Sequence, residues 1–494
     1  MSLICIQNLS FGYDGSFENV FENVNLQLDT AWRLGLTGRN GRGKTTLLQL
    51  LMGKLEHTGK IISSVDFEYF PYMPNASYFT IDVIQEIAPL VEDWQIRREL
   101  HLLEIDDDLL YHPFSTLSNG EQTKVLIVGM FLRENSFLLI DEPTNHLDVH
   151  AREVLAAYLK KKSGFILVSH DRDFLDACIN HILVINKTNI EVQKGNFSSW
   201  NENHQRQEQF EQTKNEQLKR EIHQLEQTAK KVAAHSDKVA ATKIGFDPRK
   251  VEKSITRRVS IAKKAGKLMN RAKTMERRVE KQIAEKNQLL QNREEVADLK
   301  LSPLKYHSSQ LLSFQNVSFC YDEKIIFENM SFTVNQGDRI AICGRNGSGK
   351  TSLIQLILGK KEVSEGVIVR GSQMKISYVC QSVDRLCGTL DEYIENCGVD
   401  ETLLKAILRK LDFSRELFSR PIESYSQGQK KKVMLARSLS EQAHLYIWDE
   451  PLNYIDILSR MQIEELLKVS GATLLFVEHD RHFCEQVATK QILL

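Results

Sequence analysis

The residues best equipped for chemistry lie in two octapeptides, Gly38-Arg39-Asn40-Gly41-Arg42-Gly43-Lys44-Thr45 and Gly344-Arg345-Asn346-Gly347-Ser348-Gly349-Lys350-Thr351. The first sits between a strand-like run (Leu34, Gly35, Leu36) and a helical one (Leu47, Leu48, Leu50, Leu51). That is the context of a phosphate-binding loop, in which Gly38, Gly41, Gly43 and their counterparts Gly344, Gly347, Gly349 let backbone N–H groups curl around a nucleotide's phosphates. Lys44 and Lys350 are placed to reach the β and γ phosphates, and the hydroxyls of Thr45 and Thr351 to ligate Mg²⁺. Asn40 and Asn346 stand inside the loops, and Thr46 and Ser352 open the helices. The ligands implied are a nucleotide and Mg²⁺.

Carboxylates follow at the ends of apolar strands. Phe137-Leu138-Leu139-Ile140 runs into Asp141 and Glu142. Asp141 is a candidate to hold Mg²⁺ through water, and Glu142 to orient or deprotonate the attacking water. Phe165-Ile166-Leu167-Val168 ends at Ser169-His170, where the histidine is placed to sense the γ phosphate. Ahead of them, Ser118-Asn119-Gly120 opens a helical run, so its N–H groups and the helix dipole suit a phosphate; the same residues also read as a plain cap. Tyr13, ending the strand-like Asn8–Tyr13, either packs locally or stacks on adenine, whereas Phe11 reads as core.

The second half repeats this order: Tyr321, Lys350, Ser426 and Gly428, Asp449 and Glu450, Asn453-Tyr454-Ile455-Asp456 (matching Asn145-His146-Leu147-Asp148), then His479. From the loop lysine to the serine, aspartate and histidine, the first half runs 74, 97 and 126 residues and the second 76, 99 and 129. Chemical positions kept in register at that spacing mark an internal duplication.

These motifs need strands and helices in alternation, and 494 residues suffice for two such domains and a connector. The boundaries read as 1–200, 201–305 and 306–494. In the middle segment Gly and Pro nearly vanish, and apolar residues keep a three/four rhythm. Leu218, Ile222, Leu225, Ala229 and Val232 mark one arm, and Ile261, Ala265, Leu268, Ala272, Met275 and Val279 the other. Ile244-Gly245-Phe246-Asp247-Pro248 breaks them, predicting an antiparallel helical hairpin with its tip at about 236–258 and arms of roughly 60 Å. Between Ala229 and Lys281 there are 17 Lys/Arg against 5 Asp/Glu, so the segment carries +12 while the whole chain carries −1. A basic tip on a long lever fits a phosphate-rich partner, RNA above all, with Lys243, Arg249, Lys250, Arg257 and Arg258 as candidate contacts. Phe246 is either a local packing residue or an apolar probe. No run of about 18 apolar residues predicts a membrane span, and the N-terminus reads as a strand, not a signal peptide. Eight cysteines without a CxxC pair read as reduced packing residues.

The combined motifs resemble a tandem pair of ABC ATPase domains: Walker A, signature loop, Walker B with glutamate, D-loop and switch histidine. The resemblance implies an α/β fold of two P-loop nucleotide-binding domains working head to tail, each P-loop facing the other domain's signature loop. Site one would then join Lys44, Asp141, Glu142 and His170 to Ser426 and Gly428. Site two would join Lys350, Gln381, Asp449, Glu450 and His479 to Ser118 and Gly120. ATP would close the halves and hydrolysis release them, the chain acting as a monomer. The family's glutamine is present as Gln381 but Tyr72 stands in its place in the first half, which implies weaker metal and water positioning at site one and slower turnover there. With a basic hairpin between the domains, the chain resembles the ABC-F class of translation proteins. The wording GRNGRGKTTLL, LLIDEPTNHLD, GFILVSHDR and IWDEPLN is similar to the Lsa-type resistance proteins, and the short span between Tyr72 and Ser118 and the few residues after His479 lead to the expectation of neither an inserted arm nor a C-terminal extension. That resemblance implies a cytoplasmic, tRNA-exit-site binder that protects bacterial ribosomes from lincosamides, pleuromutilins and group A streptogramins. Its linker would approach 23S rRNA at the peptidyl-transferase centre and the P-site tRNA. A housekeeping ABC-F factor and an exporter's ATPase subunit are the rival readings.

Overall fold

The computed structural model describes the chain except residues 1, 14–18, 76, 146, 187–188, 322–323, 346, 384–385, 412 and most of 242–300, where only a few isolated helical positions are described. The residues divide into two compact units, Met1–Trp200 with Ala297–Leu494, and Asn201–Val296.

In the first half, β1 (Leu3–Phe11) and β2 (Phe21–Asp29) lead to β3 (Arg33–Thr37), and α1 (Lys44–Leu51) follows. Next come β4 (Thr58–Ile62), β5 (Asp66–Phe70), and the helices α2 (Thr80–Ile87), α3 (Asp93–Leu102) and α4 (Asn119–Leu132). Then β6 (Ser136–Asp141), α5 (Val149–Leu159), β7 (Phe165–Val168), α6 (Arg172–Cys178), β8 (His181–Ile185) and β9 (Ile190–Lys194) complete it. The main sheet runs β5-β6-β7-β3-β8-β9, parallel except for the β8–β9 pair, and β2-β1-β4 form a small antiparallel sheet. Strands β6 and β7 are apolar on both faces (Phe137 to Ile140 and Phe165 to Val168 are all buried), as a parallel strand covered on both sides requires. Their C-terminal ends deliver Asp141 and, just beyond β7, His170 to one edge, where α1 also begins.

α7 (Phe197–Ala241) spans 45 residues, about 67 Å at the helical rise. Along it Leu218 and Ile222 are half-buried and most described neighbours exposed, in line with a single apolar seam. The expected tip residues Lys243, Phe246, Arg249, Lys250, Arg257 and Arg258, and the apolar positions of the second arm, lie outside the described residues.

The second half repeats the plan with β10 (Gln310–Tyr321), β11 (Lys324–Asn335), β12 (Arg339–Cys343), α8 (Lys350–Ile357), β13 (Glu365–Arg370) and β14 (Ile376–Val379). After these come α9 (Leu390–Cys397), α10 (Glu401–Lys410), α11 (Gln427–Ser440), β15 (Leu445–Asp449), α12 (Ile457–Ser470), β16 (Leu474–Val477), α13 (Arg481–Val487) and β17 (Lys490–Leu493). Its parallel sheet is ordered β14-β15-β16-β12-β17, with β11-β10-β13 antiparallel beside it. The halves meet through a buried ion pair, in which Arg172 donates to Glu464, and through the part-buried Arg152, whose Nη1 donates to the His479 carbonyl at 3.1 Å.

Candidate functional site: two nucleotide sites

Each P-loop turns on glycines that an L side chain cannot replace without strain. Gly43 (φ 92) and Gly349 (φ 98) end the loops in the left-handed region, and a Cβ on Gly349 would lie 2.2 Å from Ile326. In the first loop Lys44 Nζ donates to the Gly38 carbonyl at 2.7 Å and to Asn40 Oδ1 at 3.2 Å. In the second, Lys350 Nζ donates to the carbonyls of Gly344 at 2.9 Å and Arg345 at 2.8 Å. The ammonium is thus held against the loop that is to wrap the phosphates. Asn346 and His146 lie outside the described residues.

The strand-end carboxylates face the helix-opening hydroxyls. Thr351 Oγ1 donates to Asp449 Oδ2 at 3.3 Å, and Thr45 Oγ1 donates to Asp141 Oδ2 at 3.2 Å. Asp449 Oδ1 is buried with no hydrogen-bond partner among the described residues, an orphan oxygen beside a hydroxyl that fits a hard cation such as Mg²⁺. Burial, reinforced by Glu450, pushes Asp449 up to about 6. Both glutamates take left-handed backbone, Glu142 at φ 51 and Glu450 at φ 49, pinned by N–H bonds to the carbonyls of Val168 at 2.9 Å and Val477 at 3.0 Å. Strain of this kind in a non-glycine residue aims the side chain out of the strand line into the site.

The two glutamates then diverge. Glu450 Oε2 accepts from Gln381 Nε2 at 2.9 Å and Asn453 Nδ2 at 2.8 Å, and its Oε1 lies 3.5 Å from His479 Nε2. Burial alone would raise its pKa, but His479 and Gln381 outweigh it and hold the carboxyl at about 2. Glu142 Oε1 lies buried at ion-pair distance from His170 Nε2, 3.3 Å, without a hydrogen bond to any of the described residues. Burial and the charge of Asp141 push Glu142 up to about 8. Tyr72 occupies the place of Gln381 but turns away, donating to Glu86 at 3.0 Å. Tyr69, on β5, reaches in instead and donates to Asp141 Oδ2 at 3.1 Å. Tyr69 escaped the sequence reading because nothing marks it except its place near the end of the strand beside Asp141.

The halves face each other head to tail. A cavity of about 930 Å³ is lined by Lys350, Thr351, Gln381, Glu450 and His479 from one half and by Ser118 and Gly120 from the other. On the opposite side, Asn40 Nδ2 donates to the Tyr454 carbonyl at 2.8 Å, and a Cβ on Gly428 would lie 2.9 Å from that same carbonyl oxygen. Ser118 and Ser426 cap α4 and α11, each in a reciprocal box with the residue three positions on, Glu121 and Gln429. Tyr13 and Tyr321 stay half-exposed at the rims; their hydroxyls bond Thr46 at 2.8 Å and Ser352 at 3.0 Å, and Lys361 stands 3.8 Å from the Tyr321 ring centre. Phe11 is buried. No helix among the described residues is long and apolar enough to cross a membrane, and no cluster of His, Cys, Asp and Glu that could hold a metal occurs among them.

Paired P-loop folds of this construction are ABC-type ATP-binding domains, and the ABC transporter family model matches residues 21–145 and 327–453. The chain belongs to that family. It is similar along its whole length to the ribosome protection protein VmlR of Bacillus subtilis (29% identical; 100% of this chain, 86% of that protein). It is also similar to the ATP-binding protein Uup of Buchnera aphidicola subsp. Schizaphis graminum (27%; 99% and 80%) and to ABC transporter F family member 2 of Arabidopsis thaliana (26%; 99% and 76%). Among solved structures, the RNase-L inhibitor shares the fold at a TM-score of 0.62 and 18% identity, over 99% of this chain and 87% of that one.

Proposed function

We propose that this chain is an ATP-hydrolysing, ribosome-binding protein of the ABC-F class that protects bacterial ribosomes from drugs of the peptidyl-transferase centre. The observation that carries the reading is a tandem, head-to-tail ATPase whose connecting segment contains a stretch of net +12 between Ala229 and Lys281, in a chain similar from end to end to a ribosome protection protein. Lys350 and Lys44 bind phosphate, the N–H groups after Ser118 and Ser426 close over it from the other half, and Glu450 and Glu142 take the proton of the attacking water. His479 and His170 orient those glutamates. Thr351 with Asp449, and Thr45 with Asp141, would hold Mg²⁺, which when bound neutralises charge on the phosphates; Gln381 serves the second site only. Tyr13 and Tyr321 are the candidate adenine contacts. ATP closes the halves around both sites and hydrolysis lets them part, releasing the ribosome. The basic linker then reaches from the tRNA exit site toward 23S rRNA and the P-site tRNA, with Lys243, Phe246, Arg249, Lys250, Arg257 and Arg258 as its working tip. Its setting is the bacterial cytoplasm. A second reading is a housekeeping factor that relieves stalled ribosomes without a drug, since the chain is also similar along its length to relatives, such as the ATP-binding protein Uup, whose names state no drug protection.

The test is cell-free bacterial translation inhibited by a lincosamide, a pleuromutilin or a group A streptogramin, with purified protein and ATP. Rescue is expected from the unmodified protein and not from the Glu142→Gln/Glu450→Gln double variant, which is expected to pellet with ribosomes. Ribosome binding without rescue from any of these drugs would transfer the assignment to the housekeeping reading.

A further inference from the structure

We propose that Lys431 is a positioning residue through which nucleotide occupancy at site one is read by Gln381 at site two; the inference rests on the two-site ATPase reading above. Lys431 lies within α11, five residues after its Ser426 cap, and only 2% of it is exposed. Its ammonium donates to the carbonyls of Cys380 at 2.8 Å and Gln381 at 2.9 Å, with the Asp449 carbonyl at 3.5 Å. Three N–H donors meet three main-chain acceptors, which is how a buried lysine is satisfied without a carboxylate. All three acceptors belong to site two. They fix the backbone from which the Gln381 side chain projects toward Glu450.

The next residue ties the same helix to site one. Lys432 Nζ donates to the Leu411 carbonyl at 2.6 Å and to Asp456 Oδ2 at 3.3 Å. Asp456 ends the segment Asn453–Asp456, whose Tyr454 carbonyl receives the Asn40 amide of the first P-loop. Successive helical residues point about 100° apart, so α11 carries one lysine toward each site. Among the described residues the first half shows no such tie. Thr123 stands five residues after Ser118, where Lys431 stands after Ser426, and its hydroxyl returns to its own helix at the Asn119 carbonyl, 2.9 Å away. Lys124 donates to the Leu103 carbonyl at 2.9 Å. A side-chain tie from signature helix to the loop beyond the sheet strand is therefore built on α11 and not at Thr123. Linkage makes binding effects reciprocal, so the one-sidedness belongs in turnover.

The test uses the full-length chain. Glu142→Gln leaves site two turning over with site one filled, and Lys44→Ala leaves it turning over with site one empty. With Lys431 intact, the ratio of these two ATPase rates is expected to be roughly fivefold or more, the usual span of coupling between sites. Lys431→Thr, which installs the first-half residue, is expected to bring the ratio within about twofold, and to have no further effect in a Gln381→Ala background. Lys431→Met keeps the aliphatic stem, carries the same expectation, and serves if the threonine variant does not fold. A merely structural lysine would lower the melting temperature and leave the ratio intact. A ratio that persists in either variant, or effects of Lys431 and Gln381 that simply add, would overturn the proposal. Absence of ATP hydrolysis in the unmodified chain would instead overturn the ATPase reading on which it rests.

Discussion

Gln381 and Tyr72 occupy matching places after matching strands, and their loss is expected to be unequal. Gln381→Ala removes the 2.9 Å bond from Nε2 to Glu450 Oε2, while Asn453 still donates to the same oxygen at 2.8 Å. A hydrogen bond to a charged group contributes roughly 1.5–3 kcal/mol. If that energy holds the base in its reactive orientation, its loss slows site two roughly 10- to 100-fold, at about 1.4 kcal/mol per decade. Tyr72→Ala removes a bond to Glu86, an exposed partner, and packing at the edge of the core, but no bond to the site-one glutamate, and an exposed contact of this kind is worth within about 0.5 kcal/mol, a factor near two in turnover. Steady-state phosphate release checks this in single-site proteins: Gln381→Ala on Glu142→Gln, and Tyr72→Ala on Glu450→Gln. Site one is also expected to start slower, because Glu142 is pushed up to about 8 whereas Glu450 is held at about 2, fully ionised at neutral pH. Glu450→Gln is accordingly expected to cost the intact protein more of its ATPase than Glu142→Gln. Equal losses from the two glutamine variants, or Tyr72→Ala matching Gln381→Ala, would refute the reasoning.

Two further outcomes concern buried charge, one pair within the second half and one that joins the halves. Burial would raise Asp456, but Lys432 and the Ser459 N–H outweigh it and hold the carboxyl well below the usual range. Its stabilising contribution is therefore complete above the unfolded value of about 3.9 and is lost as pH falls through the lower folded value. Asp456→Asn keeps the helix cap but strands Lys432, so thermal unfolding at neutral pH should show a loss of roughly 3–5 kcal/mol that shrinks as the buffer is taken below about pH 4; a gap that widens on acidification contradicts this. Arg172 and Glu464 pair across the halves at 9% and 5% side-chain exposure. Glu464→Leu alone should destabilise by roughly 3–5 kcal/mol and Arg172→Met/Glu464→Leu should recover most of it, since the cost is an unpaired buried charge. A double variant as unstable as the single would place the cost elsewhere in the packing.

What was legible in the sequence is chemistry that lies close together in it. A P-loop is eight consecutive residues, and the spacing of its glycines already implies the left-handed turns found at Gly43 and Gly349. The doubly buried strands β6 and β15 announced themselves as unbroken apolar runs ending in Asp-Glu, and repetition at matching distances made the duplication plain. The family resemblance supplied the head-to-tail pairing, and the cavity shared by Lys350 and Ser118 has that arrangement. The contacts that went unread are those made by residues with ordinary alternative roles. Tyr69 looks like one more aromatic on a strand, and only the parallel pairing of β5 with β6 brings its hydroxyl to Asp141. Lys431 sits in a run of three lysines, which by composition reads as a solvated helix face, yet two of the three are buried. A signal for both existed in the duplication itself. Aligned on Ser118 and Ser426, the halves differ at Thr123 and Lys431, just as they differ at Tyr72 and Gln381 when aligned on their strands. In a duplicated ATPase the shared residues report the common chemistry. The departures between copies are where different work at the two sites is to be sought, and both departures here converge on the Gln381 loop of site two.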